Sequence, residues 1–142
     1  MLLPVSVAVG VIVINTAIHA GAMHIILDAF KRRSWGIWNK GDHAGIYWVA
    51  GVILVMFMAS ILEVIVWALT YRALDIFQTG EEAFYFSGVT YTTLGYGDMT
   101  IEGSWRILSA FEAANGIIMF GWTTALVFAV VQRIYFHDKV EK

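Results

Sequence analysis

Thr92-Thr93-Leu94-Gly95-Tyr96-Gly97-Asp98 is the stretch on which the reading of this 142-residue chain turns. Its two glycines, Gly95 and Gly97, stand at alternate positions. Glycine takes positive φ at no steric cost, so carbonyls that would alternate along an ordinary strand can be turned to one side. A short amphipathic segment over residues 80–91 precedes the stretch, and a long apolar segment over 104–133 follows it. At about 1.5 Å per residue the short segment is roughly 18 Å of helix, too little to cross a bilayer. Non-helical backbone at membrane depth is tolerated only where it lines a cavity. The plainer alternative is a glycine-rich turn between two membrane helices.

Composition sets the setting. Hydrophobic residues make up 59% of the chain and the mean hydropathy is +0.71. Three apolar runs exceed the length needed to span a bilayer. A formal net charge of −2 argues against a nucleic-acid partner, and the absence of cysteine rules out disulfides. The first apolar run lacks a basic leader and a cleavage site, which makes it a retained membrane helix rather than a signal peptide.

That first span covers residues 2–28, with Pro4 acceptable in its first turn. Asn15 and His19 share a face, as do His24 and Asp28. Polar groups at this depth usually face protein. A metal, haem or proton site is one reading of these histidines. Packing against the other helices is the preferred one, because no second ligand at matching depth is evident. Lys31, Arg32, Arg33 and Lys40, interleaved with Trp35 and Trp38, form the kind of loop that stays in the cytoplasm. Asp42 is a candidate N-cap for a second span over 44–71. Thr79 and Glu82 have capping-box spacing ahead of the short helix, and Glu81 and Glu82 suit its positive end. The N-terminus is therefore expected outside and the C-terminus inside.

At Thr93-Leu94-Gly95-Tyr96-Gly97-Asp98 the chain resembles the tetrameric potassium-channel family, whose filter signature reads Thr-(Val/Ile/Leu)-Gly-Tyr-Gly-Asp. The resemblance extends over residues 42–133. It implies an all-α membrane protein with three transmembrane helices per subunit: an added N-terminal helix within residues 1–40, then a pore domain over 41–142. That domain would contain an outer helix (44–71), a re-entrant pore helix (80–91), a filter loop (92–98) and an inner helix (104–133). Four copies would surround one axis. Carbonyls of Thr93, Leu94, Gly95 and Tyr96 would replace the water of potassium ions, the Thr93 hydroxyls closing the inner end, with Gly97 and Asp98 supporting them. Leu94 and Tyr96 would pack against the surrounding helices. Some bacterial members carry a glutamate four residues before the filter threonine, bonded to the filter aspartate; here that position is Val89. The proline common after the aspartate is also missing.

The resemblance places Gly116 at the hinge of the inner helix, although glycine there also allows close helix contact. Ile117, Phe120, Thr124, Phe128 and Val131 recur at helical spacing and would line the cavity, with Phe128 a candidate apolar constriction. Glu63 and Glu112 each lie about 12 Å inside the outer end of their helices, where a carboxylate needs a partner. Glu112 is expected to accept hydrogen bonds from the back of the pore helix, with Asn115 in the same network and Glu63 in a similar role. Ser104 reads as the N-cap of the last helix, and Phe84, Tyr85 and Phe86 as wedges for the short one. His137 belongs to a solvated tail.

The expected function is passive, potassium-selective conduction by a homotetramer in a membrane, prokaryotic by its compactness, with potassium ions and membrane lipid as the only other components and no enzymatic step. Three alternatives remain: a weakly selective cation channel, a non-conducting regulatory subunit of a larger channel, and a metal- or haem-binding redox protein using His19 and His24.

Overall fold

The computed structural model describes residues 2–32 and 44–136. Lys31 and Arg32 of the basic loop fall in the last turn of the first helix, and the rest of that loop, the Asp42 cap and the His137 tail lie outside these residues. Among the described residues all regular structure is helical: α1 (Leu2–Arg32), α2 (Ala44–Ala73), α3 (Gly80–Tyr91) and α4 (Ile107–Tyr135), with a short 3₁₀ turn at Gly103–Arg106 before α4. Three of these, Leu2–Arg32, Gly45–Ala73 and Gly103–Tyr135, are long and apolar enough to cross a membrane. At 12 residues, α3 is not.

Each helix end follows from local chemistry. Thr79 is extended and its side chain accepts from the Glu82 N–H, while the Glu82 carboxylate accepts from the Thr79 N–H, so the capping box forms at α3. The α2–α3 connection is tied down by a hydrogen bond from Arg72 to the Phe77 carbonyl and by Ile76 N–H to Tyr71 O at 3.0 Å. The expected cap at Ser104 is not found. Ser104 lies inside the 3₁₀ turn, and α4 begins after Arg106 with no side-chain cap bond. Gly103, at φ +67°, lets the chain reverse into that turn.

The helices meet in two apolar clusters. Around α3, one joins Ala8 and Val11 of α1, Trp67 and Tyr71 of α2, Phe77 and Phe86, and Leu108 and Met119 of α4. The other, at the opposite end, gathers Ile26, Val52, Met56, Leu126 and Val130. Tyr71, Phe77 and Phe86 interlock, with ring centroids 4.9–5.9 Å apart. Of the three aromatic residues read as wedges for α3, Phe86 is buried and Phe84 and Tyr85 are exposed. Within a bilayer the lipid is as apolar as these side chains, so helix association rests on close packing and buried hydrogen bonds. Pro4, Ala8, Val11, Asn15, His19 and Ile26 form the buried stripe of α1, and it lies against α2 and α4.

Candidate functional site

The 92–98 loop leaves α3 through a set of backbone bonds that use the helix's last carbonyls. Thr93 N–H donates to Thr90 O at 2.9 Å, and Leu94 N–H and Gly95 N–H both donate to Val89 O, at 3.0 and 3.3 Å. Thr92 Oγ1 donates to Gly88 O at 2.7 Å. Carbonyls that would be orphaned at a helix C-terminus are thereby satisfied, and the start of the loop is fixed to the end of α3. Beyond this anchor φ alternates in sign. Thr93, Gly95 and Gly97 have φ of +61°, +57° and +78°, whereas Leu94 and Tyr96 are not among the positive-φ residues. Alternating left- and right-handed residues turn consecutive carbonyls to one side, as a uniform strand cannot. The glycines take these angles freely, but Thr93 is β-branched and its conformation costs about 1–3 kcal/mol. Strain of that size persists only where the surroundings impose it.

At the far end Asp98 is held by a tyrosine. Tyr85 OH donates to Asp98 Oδ2 at 2.7 Å, and this bond raises the Tyr85 pKa above the ordinary phenol value. Val89 carries no carboxylate, yet the aspartate has a donor from the same helix, one turn earlier. Thirteen residues separate Tyr85 from Asp98, and only the loop's fold brings them together.

Behind the loop three buried polar clusters are strung along α2 at Glu63, Trp67 and Tyr71, four residues apart. Glu112 accepts from Tyr71 OH at 2.6 Å and lies 2.5 Å from Ser87 Oγ. The same Ser87 oxygen is 2.9 Å from Val64 O, and its single hydrogen serves one of them at a time. Asn115 Oδ1 accepts from Asn15 Nδ2 at 2.8 Å and Trp67 Nε1 at 3.2 Å. Glu63 accepts from Tyr91 OH and lies 2.8 Å from His19 Nδ1. Asn115 therefore bonds to α1 and α2 rather than to Glu112. Glu63 and Glu112 share no hydrogen-bond partner among the described residues, being held at different levels of α3.

A family model described as an ion channel matches residues 59–133, more than half of the chain. The chain belongs to this two-transmembrane ion-channel family. No curated protein and no solved structure matches it. The match takes in the second half of α2, all of α3, the loop and nearly all of α4, and it leaves α1 outside.

In this channel subunit, α4 divides cleanly by face. Glu112, Asn115, Gly116, Met119, Leu126 and Val130 are buried within the subunit. Ile117, Phe120, Thr124 and Phe128 are exposed and Val131 half-exposed, all on the side adjoining the buried one. Gly116 meets α3 directly: a Cβ there would collide with the Tyr91 carbonyl oxygen. That gives the glycine a packing role at the end of α3. Leu94 and Tyr96, expected to be packed among helices, are 56% and 67% exposed within one subunit. His24 and Asp28 lie at the surface, 3.6 Å apart, and no group of metal-binding side chains exists among the described residues.

Sequence reasoning missed Thr93's left-handed backbone, Tyr85 as the Asp98 donor, and Tyr71, Trp67 and His19 as partners of the buried polar groups. The spacing of four along α2 was a usable signal for Trp67 and Tyr71. Nothing local announced the others.

Proposed function

We propose that four copies of this chain form a potassium-selective channel, in which carbonyls of Thr93, Leu94, Gly95 and Tyr96 replace the hydration shell of potassium ions. The observation that carries the reading is the sign alternation of φ through Thr93, Gly95 and Gly97. It is the backbone state that a carbonyl-lined conduit requires. A closed ring also accounts for what one subunit leaves uncovered. A cleft of about 460 Å³ lies between α3, the loop and the start of α4, lined by residues including Val89, Thr93, Asp98 and Ala113. Leu94 and Tyr96 stand exposed beside it, and a neighbouring copy would fill it.

Ile117, Phe120, Thr124, Phe128 and Val131 then face the cavity below the filter, and Glu112 and Tyr85 brace the filter from behind and above. The basic residues around 31–40 place that loop in the cytoplasm, with the N-terminus outside. Conduction is passive, each site binding potassium well enough to admit it and weakly enough to release it. Liposomes reconstituted from this chain alone test the reading. It predicts potassium uptake driven by a gradient and a fourfold species on chemical cross-linking. Uptake that is absent, or a cross-linked ladder ending at two, contradicts it.

A further inference from the structure

The family match begins at residue 59, so the family's shared architecture gives α1 no task. Its buried contacts do. His19 is fully buried, and both of its ring nitrogens are engaged by other helices. Nδ1 lies 2.8 Å from Glu63 Oε1 of α2, and Nε2 lies 3.2 Å from Thr123 Oγ1 of α4. The ring also packs on Trp122 of α4, centroids 5.2 Å apart.

Glu63 is equally buried and is divided between two neighbours. Its other oxygen, Oε2, accepts from Tyr91 OH. As a carboxylate it offers only acceptors, so the imidazole donates from Nδ1, and in the neutral ring Nε2 accepts from the Thr123 hydroxyl. No further titratable or charged partner of His19 occurs among the described residues. Tyr91 is the last residue of α3, two positions before Thr93. Its carbonyl abuts Gly116, and its ring meets Phe120 edge-on at 5.5 Å. Three residues on two other helices, Glu63 of α2 and Gly116 and Phe120 of α4, thus fix this tyrosine where the strained left-handed Thr93 begins the loop.

We propose that His19 is a positioning residue for the filter: through Glu63 it sets Tyr91, and with it the inner end of the Thr93–Tyr96 ion path. The α1 helix is then a working part of the pore. Without His19, one oxygen of a fully buried carboxylate has no donor, and Glu63 must turn or draw in water to recover one. Either change moves the Tyr91 hydroxyl. The proposal rests on the reading of Thr93 as the innermost ion site.

The test compares His19→Leu, His19→Asn and Ile26→Ala in the full-length channel in planar bilayers. Asparagine carries its amide nitrogen where histidine carries Nδ1 and restores the donor. Ile26→Ala loosens α1 in the other apolar cluster, away from the filter. The potassium-to-sodium permeability ratio is expected to fall about tenfold or more in His19→Leu and to stay within about twofold of the unmodified channel in the other two. Equal loss in His19→Leu and Ile26→Ala would reduce His19 to general packing and overturn the proposal. If His19→Leu does not assemble, His19→Gln replaces it, since its amide reaches the Nε2 position and leaves Nδ1 unfilled.

A second readout needs no current. With 3-fluorotyrosine at position 91, His19→Leu shifts the fluorine resonance and Ile26→Ala does not. A resonance unmoved by His19→Leu overturns the proposal whatever the channel conducts. An unmodified channel that fails to prefer potassium contradicts the proposed function alone.

Discussion

Thr93 carries a φ of +61° that its branched side chain disfavours. The two glycines after it share the left-handed conformation without strain. Alanine at Gly95 would impose at least about 1 kcal/mol on every subunit, a penalty met once per copy around a ring. Gly95→Ala is therefore expected to abolish potassium uptake by reconstituted liposomes while leaving helix content by circular dichroism unchanged. Uptake at the unmodified rate would show that positive φ there is dispensable. At the Asp98 end of the loop, Tyr85→Phe removes only the donor to Asp98. A hydrogen bond of about 1 kcal/mol corresponds to about a fivefold change in an equilibrium. The potassium concentration that half-stabilises the assembly against thermal unfolding should rise by about that factor, and no rise would remove Tyr85 from the filter's support. Gly95 and Gly97 were legible because glycine has few reasons to alternate in an apolar chain. The Thr93 angle was not, since nothing in a threonine's identity marks a left-handed backbone.

The helices show where hydropathy succeeds and where it stops. Length and apolarity located the long spans, and the Thr79–Glu82 capping box set the start of α3. Hydropathy could not say which face of α2 looks inward, because lipid and protein interior are alike to an apolar side chain. The inward face is marked instead by polar and aromatic residues at Glu63, Trp67 and Tyr71, each bonded to another helix. Two substitutions test this packing. Glu112→Leu leaves the Tyr71 hydroxyl without its acceptor, while Ser87 keeps Val64 O, and should destabilise the assembly by about 1–3 kcal/mol per subunit. Glu112→Gln should recover most of that loss. Its amide oxygen accepts from Tyr71, and its nitrogen donates to Ser87, whose own hydrogen turns to Val64. Thermal unfolding in detergent reads both, and equal loss in the two variants would mean that charge, not hydrogen bonding, is what Glu112 supplies. Gly116→Ala drives a methyl into the Tyr91 carbonyl and should cost about 1–3 kcal/mol by overpacking. A Gly116→Ala channel of unchanged stability would return this glycine to the role of a hinge alone.

One subunit is an incomplete object. Its 92–98 loop is exposed, one face of α4 is bare, and the cleft beside the loop is unfilled, while the contacts among α1, α2 and α4 are closed and polar groups are paired across them. The first set of surfaces is what fourfold closure would cover, and the second is what keeps each quarter rigid enough to hold its share of the ring. The turned backbone of the 92–98 loop was readable at Gly95 and Gly97, because only glycine takes positive φ freely. The attachment of α1 was not, because Asn15 and His19 find partners 100 and 44 residues away. The most direct measurement is the reversal potential of the reconstituted channel in a planar bilayer, with potassium on one side and sodium on the other. Backbone carbonyls standing in for the water of potassium predict a reversal potential far from zero, of the sign that opposes potassium leaving its own side. A reversal potential at zero, with sodium passing as freely as potassium, contradicts the account.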